Sequence, residues 1–259
     1  MRCQIISDLH LGHEFYHFKK VTVPEAVAPI LIVAGDIWEA GKEFTHHTKW
    51  MAQVADRFEH VVFVAGNHDF YSTDIDIMIE TYQQLSTTFS NVHYLENSSV
   101  TIDGFKFVGA TLWTDFMHQG MCRPKDFFRM NDSNQITKGK KLIYPQYILE
   151  KHAESVKYLF DNVEVNTVLV THHPPSYIGQ NPKWLAPQFL RDPIDHLFYS
   201  DYDEMILKTQ PKLIVSGHTH DSYNKFIGST NLICNPRGYV SAYGIENDLF
   251  DWNLVVDLD

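Results

Sequence analysis

The run Leu213-Ile214-Val215 is apolar throughout and stops at Gly217-His218-Thr219-His220. Such a run reads as a strand buried on both faces, and strand alternation sends His218 and His220 to one side. Two imidazoles leaving one strand end suit a metal site. Four further runs end on the same kind of cargo. Arg2 to Ser7 leads into Asp8-Leu9-His10, and Pro29 to Ala34 into Gly35-Asp36. Val61 to Ala65 leads into Gly66-Asn67-His68-Asp69, and Thr167 to Val170 into Thr171-His172-His173-Pro174-Pro175. In open α/β sheets ligands collect at the carboxyl ends of strands, where all these polar residues lie.

Residues from about Glu43 to Phe58 and from Thr73 to Phe89 carry helical periods, the second with Thr73 or Asp74 as N-cap. Apolar strands alternating with such crossovers imply parallel strands covered on both faces. From Asn91 the pattern changes to short strands at Val92 to Leu95, Ser99 to Ile102 and Phe105 to Ala110, with Asp103-Gly104 as a hairpin turn. Thr111 to Tyr144 has little periodicity and reads as a cap or lid insertion over about 111–144. Pro145 to Phe160 and Asp201 to Lys208 read as helices, and Tyr177 to Ser200 as a second irregular stretch. Phe226-Ile227 can pair with Leu232-Ile233, and Trp252 to Leu258 closes a sheet. With no repeat or linker, the whole of 1–259 reads as one domain.

A net charge of −11 is the wrong sign for a surface that grips long nucleic acid, so no extended nucleic-acid interface is expected. No apolar run reaches the eighteen or so residues of a membrane span, and the amino end reads as a core strand rather than a signal peptide. Cys3, Cys122 and Cys234 are scattered and odd in number, which points to a reducing cytoplasm rather than a disulfide framework.

Asp8-x-His10, Gly35-Asp36, Gly66-Asn67-His68-Asp69, His172 and Gly217-His218-x-His220 resemble, in order, the signature blocks of the calcineurin-like metallophosphoesterases. The resemblance implies a four-layer α/β/β/α sandwich, two mixed sheets flanked by helices, with two divalent metals at the strand ends. Asp8, His10 and His220 would hold the first metal, and Asn67, His172 and His218 the second, with Asp36 bridging. His68 would bind phosphate and act as general acid, its ring oriented by Asp69. Two dications ~3.5–4 Å apart repel by on the order of 20 kcal/mol at an effective dielectric of 20, so an anionic bridge is required. The resemblance further implies phosphomonoester or phosphodiester hydrolysis by hydroxide generated on the metals. Manganese comes first among the candidate ions, with iron, zinc or nickel as alternatives.

Thr-Leu-Trp-Thr-Asp-Phe at 111 to 116 and the Asn131-Asp132 pair are similar to segments of small bacterial members. Trp113, Arg129, Asn131, Asp132 and Arg237 are therefore candidate substrate contacts beside Asn67 and His68. His173 reads as structural, and His13, His17, His46 and His47 as members of solvated loops and a helix face. The Asp-Arg pair of the serine/threonine protein phosphatases is missing after Asp36. The Arg that the lipid A pathway pyrophosphatases carry is replaced by His68, and the Tyr ligand of purple acid phosphatases is missing too. The expected partner is a small phosphoester, a nucleotide among the options. A nuclease or cyclic-nucleotide phosphodiesterase is the alternative enzyme, and a binding scaffold with a decayed site the alternative to an enzyme.

Overall fold

The structure, a computed structural model, describes residues 1–39, 44–116, 124–180 and 197–259. Cys122 and parts of both irregular stretches lie outside the described residues. The first sheet takes β1 (Arg2–Ile6), β2 (Ile30–Ala34) and β3 (His60–Val64). Between and after them come α1 (Leu11–Phe18), α2 (Phe44–Arg57), β4 (Thr73–Asp74) and α3 (Ile75–Thr88). The chain continues through β5 (Val92–Tyr94), β6 (Ser98–Ile102), β7 (Phe105–Ala110), α4 (Asp132–Gln135), β8 (Ile136–Lys138) and β9 (Lys141–Leu142). Then follow α5 (Pro145–Asp161), β10 (Thr167–Thr171), α6 (Asp203–Thr209) and β11 (Leu213–Ser216). Last come β12 (Tyr223–Ile227), β13 (Thr230–Cys234), β14 (Val240–Ser241), β15 (Gly244–Ile245) and β16 (Val255–Asp257).

Two mixed sheets result, ordered β16-β1-β2-β3-β5 and β12-β13-β11-β10-β7-β6. Their central pairs are parallel, while β16, β12 and β6 join antiparallel at or beside the edges. Alternation along each strand sorts the apolar residues into layers. Ile5, Ile32, Val62 and Val64 of the first sheet pack with Phe107, Val168, Val170 and Val215 of the second, forming the core between the sheets. Ile6, Leu31, Val33, Val61 and Phe63 face the other way, onto Trp50, Met51 and Val54 of α2 and Met78, Tyr82 and Leu85 of α3. On the far side Leu169 and Ile214 meet Leu159 of α5 and Ile206 of α6. Helices, sheet, sheet and helices thus stack in four layers, as the sequence leads one to expect.

Asp74 caps α3 by accepting from the Asp76 and Ile77 amides, and Asp103 and Gly104 turn the β6–β7 hairpin at positive φ. Several elements depart from the sequence reading, the β14–β15 hairpin among them. Residues 11–18, left unassigned by the sequence, form α1; β4, β8 and β9 make a small third sheet, and the final strand is only Val255–Asp257. α1 escapes notice because His10, its N-cap, sits in the left-handed region and makes no side-chain capping bond.

Candidate metal centre and active site

The carboxyl ends of β1, β2, β3, β10 and β11 meet where the two sheets come together, and each delivers its polar residues there. Asp8, His10, Asp36, His218 and His220 all have positive φ, between 44° and 71°. Non-glycine residues adopt that backbone only at a cost, of order 1–3 kcal/mol each, and such strain gathers at functional sites. Gly35, at φ 87°, permits the close approach: a Cβ there would fall 2.3 Å from His172 Nδ1.

Two groups of candidate ligand atoms emerge. In the first, His10 Nε2 and His220 Nε2 are 3.1 Å apart, and Asp8 Oδ1 is 3.6 Å from His220 Nε2. In the second, Asn67 Oδ1 lies 3.1 Å from both His172 Nε2 and His218 Nδ1, which are 3.2 Å from each other. Asp36 Oδ2 stands 3.8 Å from His10 Nε2 and 3.4 Å from His172 Nε2, adjoining both groups.

The outer partners fix what these atoms present. His10 Nδ1 faces Glu39 Oε1 at 3.1 Å, His172 Nδ1 faces the Ala34 carbonyl at 2.9 Å, and His220 Nδ1 faces Glu246 Oε2 at 2.6 Å. Each outer nitrogen must donate, so each Nε2 turns a lone pair inward. Lone pairs meeting lone pairs at 3.1 Å repel unless a cation lies among them. Two ligands ~2.1 Å from one ion are separated by about 3.0–3.4 Å at octahedral or tetrahedral angles; the His10–His220, Asn67–His172–His218 and Asp36–His172 spacings fall in that range, and the Asp8–His220 and Asp36–His10 spacings exceed it by 0.2–0.4 Å. The field of the site draws positive charge to it. Burial opposes a charge on His172, but the Asp36 carboxylate outweighs it and lifts that ring to about 9. The hydrogen bond from His220 holds Glu246 down at about 2.

Residues 1–222 match the family model for calcineurin-like phosphoesterases. The chain belongs to that family. It is a metal-dependent phosphoric ester hydrolase, and the clustered Asp and His side chains supply candidate ligands for its divalent ions. Among relatives, protein L509 of Acanthamoeba polyphaga mimivirus is 22% identical over 98% of this chain and 95% of its own length. Human metallophosphoesterase domain-containing protein 1 is 23% identical over 80% of this chain, an alignment that spans 58% of the human protein. In fold, the chain is similar to the phosphopantetheinyl hydrolase of Mycobacterium tuberculosis, with a TM-score of 0.68 at 17% identity, covering 92% of this chain and 89% of that one.

A cavity of about 400 Å³ opens over these ligands, walled by His68, Tyr71, Arg129, Asn131, Asp132 and Tyr239. The His68 ring lies against Tyr71, with centroids 4.1 Å apart, and its Nε2 is 3.2 Å from Tyr239 Oη. Burial disfavours its charge, but the Asp36 and Glu39 carboxylates prevail and raise its pKa. Asp132, whose carboxyl burial pushes upward, sits beside it.

Four expectations need correction. Asp69 does not touch the His68 ring. Its carboxylate accepts from the amides of Ile37, Trp38 and Gly66 and from Tyr82 Oη, tying together the loops that carry Asp36 and Asn67. Arg237 does not reach the cavity. It is buried, donating through Nη1 to Glu14 Oε2 at 2.8 Å and through Nη2 to the Leu9 carbonyl. Trp113 is buried against Phe70 and His173, behind the cavity wall. His47 is buried rather than solvated, edge-on to Tyr82.

The sequence reading passed over Glu39, whose Oε1 is 3.1 Å from His10 Nδ1, 3.4 Å from His13 Nε2 and 3.7 Å from His68 Nδ1. Its place three residues after Asp36 is the signal that could have found it. Tyr239 and Glu246 were missed as well, because only the fold of the β14–β15 hairpin carries them back to His68 and His220.

Proposed function

We propose that the site holds two divalent cations and hydrolyses a small phosphomonoester or phosphodiester. The observation that carries this is the position of Asp36, one carboxylate adjoining both ligand groups. Asp8, His10 and His220 would hold one cation, Asn67, His172 and His218 the other, and Asp36 both. When bound, such ions acidify water to a pKa of roughly 7 and draw charge from the phosphoryl oxygens. The chain's own residues orient and protonate. Glu39 and Glu246 hold the His10 and His220 protons on Nδ1, so that Nε2 is the nitrogen each ring offers to a cation. His68, packed on Tyr71 with Nε2 at the cavity wall, gives its proton to the leaving oxygen.

The mixed nitrogen and oxygen donors suit manganese first, and iron, zinc or nickel after it. A cavity of about 400 Å³ suits a small molecule such as a nucleotide. We take 1–259 as one domain in which residues about 111–144 cap the site, a reading supported by Arg129, Asn131 and Asp132 in the cavity wall. The buried free thiols of Cys3 and Cys234 agree with a cytoplasmic setting.

The test is His68→Asn on two esters. Hydrolysis of an alkyl phosphate, whose leaving oxygen needs a proton, should fall by about 10²–10⁴-fold. Hydrolysis of p-nitrophenyl phosphate, whose leaving group departs without one, should fall far less. Equal losses on both would remove His68 as the acid.

A further inference from the structure

Asp132 opens the single-turn helix α4 and is only 3% exposed, yet neither Oδ1 nor Oδ2 has a hydrogen-bond partner. The residue borders the cavity alongside Asn67 and His68, with both oxygens just beneath its surface. An ionised carboxylate accepts through about four lone-pair sites and donates through none. Leaving such a group buried and unpaired is costly, and native proteins rarely do so without a functional reason.

The Asn67 side chain and the Asp132 amide lie close enough to steady the carboxylate, but neither makes a well-formed hydrogen bond to its oxygens. Asn67 Nδ2 donates to Tyr71 Oη at 3.3 Å, and Ser133 Oγ donates to the Met130 carbonyl at 2.9 Å. Asn131, the N-cap of α4, makes no side-chain capping bond and borders the same cavity. A phosphoryl group at the metal ligands is itself anionic and would only repel Asp132. What remains to satisfy the carboxylate is the other half of the ester.

Resting on the phosphoesterase reading, we propose that Asp132 accepts hydrogen bonds from the leaving group and so selects phosphoesters whose alcohol bears hydroxyl or amino donors a few bonds from the ester oxygen. Polyol phosphates and amino-alcohol phosphates share that chemistry. Esters with bare alkyl or aryl leaving groups leave the carboxylate unpaired and are discriminated against, as sites built to bind a donor reject analogues that lack it.

The experiment compares manganese-loaded wild type, Asp132→Leu and Asp132→Asn on ribose 5-phosphate, phosphoethanolamine and ethyl phosphate. In wild type, kcat/KM should favour at least one donor-bearing ester over ethyl phosphate. In Asp132→Leu that preference should shrink by about 10–100-fold, the range for a hydrogen bond to a charged acceptor. Asp132→Asn, which keeps one acceptor oxygen, should fall between. Shrinkage confined to ribose 5-phosphate identifies hydroxyl donors, and shrinkage confined to phosphoethanolamine an amine. The melting temperature of Asp132→Leu should equal or exceed that of wild type, since an unpaired buried charge is removed. A preference unchanged in both variants, or absent in wild type, overturns the proposal. If wild type hydrolyses none of the three but does hydrolyse bis-p-nitrophenyl phosphate, the monoester half of the proposed function falls and the diester half stands. The same ratio is then taken from calorimetric dissociation constants, where equal affinities overturn the proposal in its turn.

Discussion

Replacing Asp69 with asparagine turns one oxygen into an amide nitrogen at a point where four donors converge. Oδ1 accepts from Trp38 N at 3.0 Å, Ile37 N at 3.1 Å and Tyr82 Oη at 2.9 Å, while Oδ2 accepts from Gly66 N at 2.8 Å. The best orientation of the asparagine keeps its carbonyl on the first three. Its NH₂ then opposes the Gly66 N–H, so one bond to the carboxylate is lost and two buried donor groups, that NH₂ and the Gly66 N–H, are left unpaired. That should cost about 2–3 kcal/mol. Asp69→Ala strips all four donors and should cost about 4–8 kcal/mol, comparable to the whole stability of an ordinary domain. Urea unfolding of both variants and of Tyr82→Phe, expected at about 1–2 kcal/mol, gives the series. Because Gly66 and Ile37 flank Asn67 and Asp36, metal affinity should fall along the same series. An Asp69→Asn protein within 0.5 kcal/mol of wild type, fully metallated but slow in kcat, would refute this reasoning and return Asp69 to the His68 ring.

Burial holds His47 at a pKa of about 3, and its Nε2 has no partner. The unfolded chain therefore takes up a proton near pH 6.5 that the folded chain refuses until about pH 3, so stability falls as pH drops through that window. At pH 5 the loss should be about 2 kcal/mol, and His47→Leu should flatten the slope between pH 6.5 and 5; an unchanged slope would exclude His47 as its source. Arg237→Ala should cost about 3–5 kcal/mol by leaving Glu14 buried without its cation, with KM for a phosphoester close to wild type. A raised KM at unchanged stability would instead put Arg237 on the phosphate.

The strand ends that gather at the candidate site were legible because two independent signals coincide in them: an unbroken apolar run, then residue types able to ligate a metal. The orientation of neighbours was not. His68 and Asp69 occupy one 3₁₀ turn, His68–Phe70, in which successive side chains diverge by about 120°. One therefore faces the cavity and the other the core, a division that adjacency in sequence conceals. Arg237 misled for a similar reason. Its partner Glu14 lies 223 positions away, and nothing local says that the guanidinium is already engaged. Glu39, Tyr239 and Glu246 act through contacts that exist only once loops from different strands meet. The orphaned carboxylate of Asp132 could be noticed only when its surroundings could be searched for donors.

The central claim is that one carboxylate, Asp36, serves two cations. Metal analysis of manganese-loaded, desalted protein tests it most directly, with Asp36→Ala measured beside wild type. Wild type should carry two equivalents per chain, and Asp36→Ala one or fewer with activity lost. A single equivalent in fully active wild type, or two equivalents and full activity in Asp36→Ala, would contradict the account.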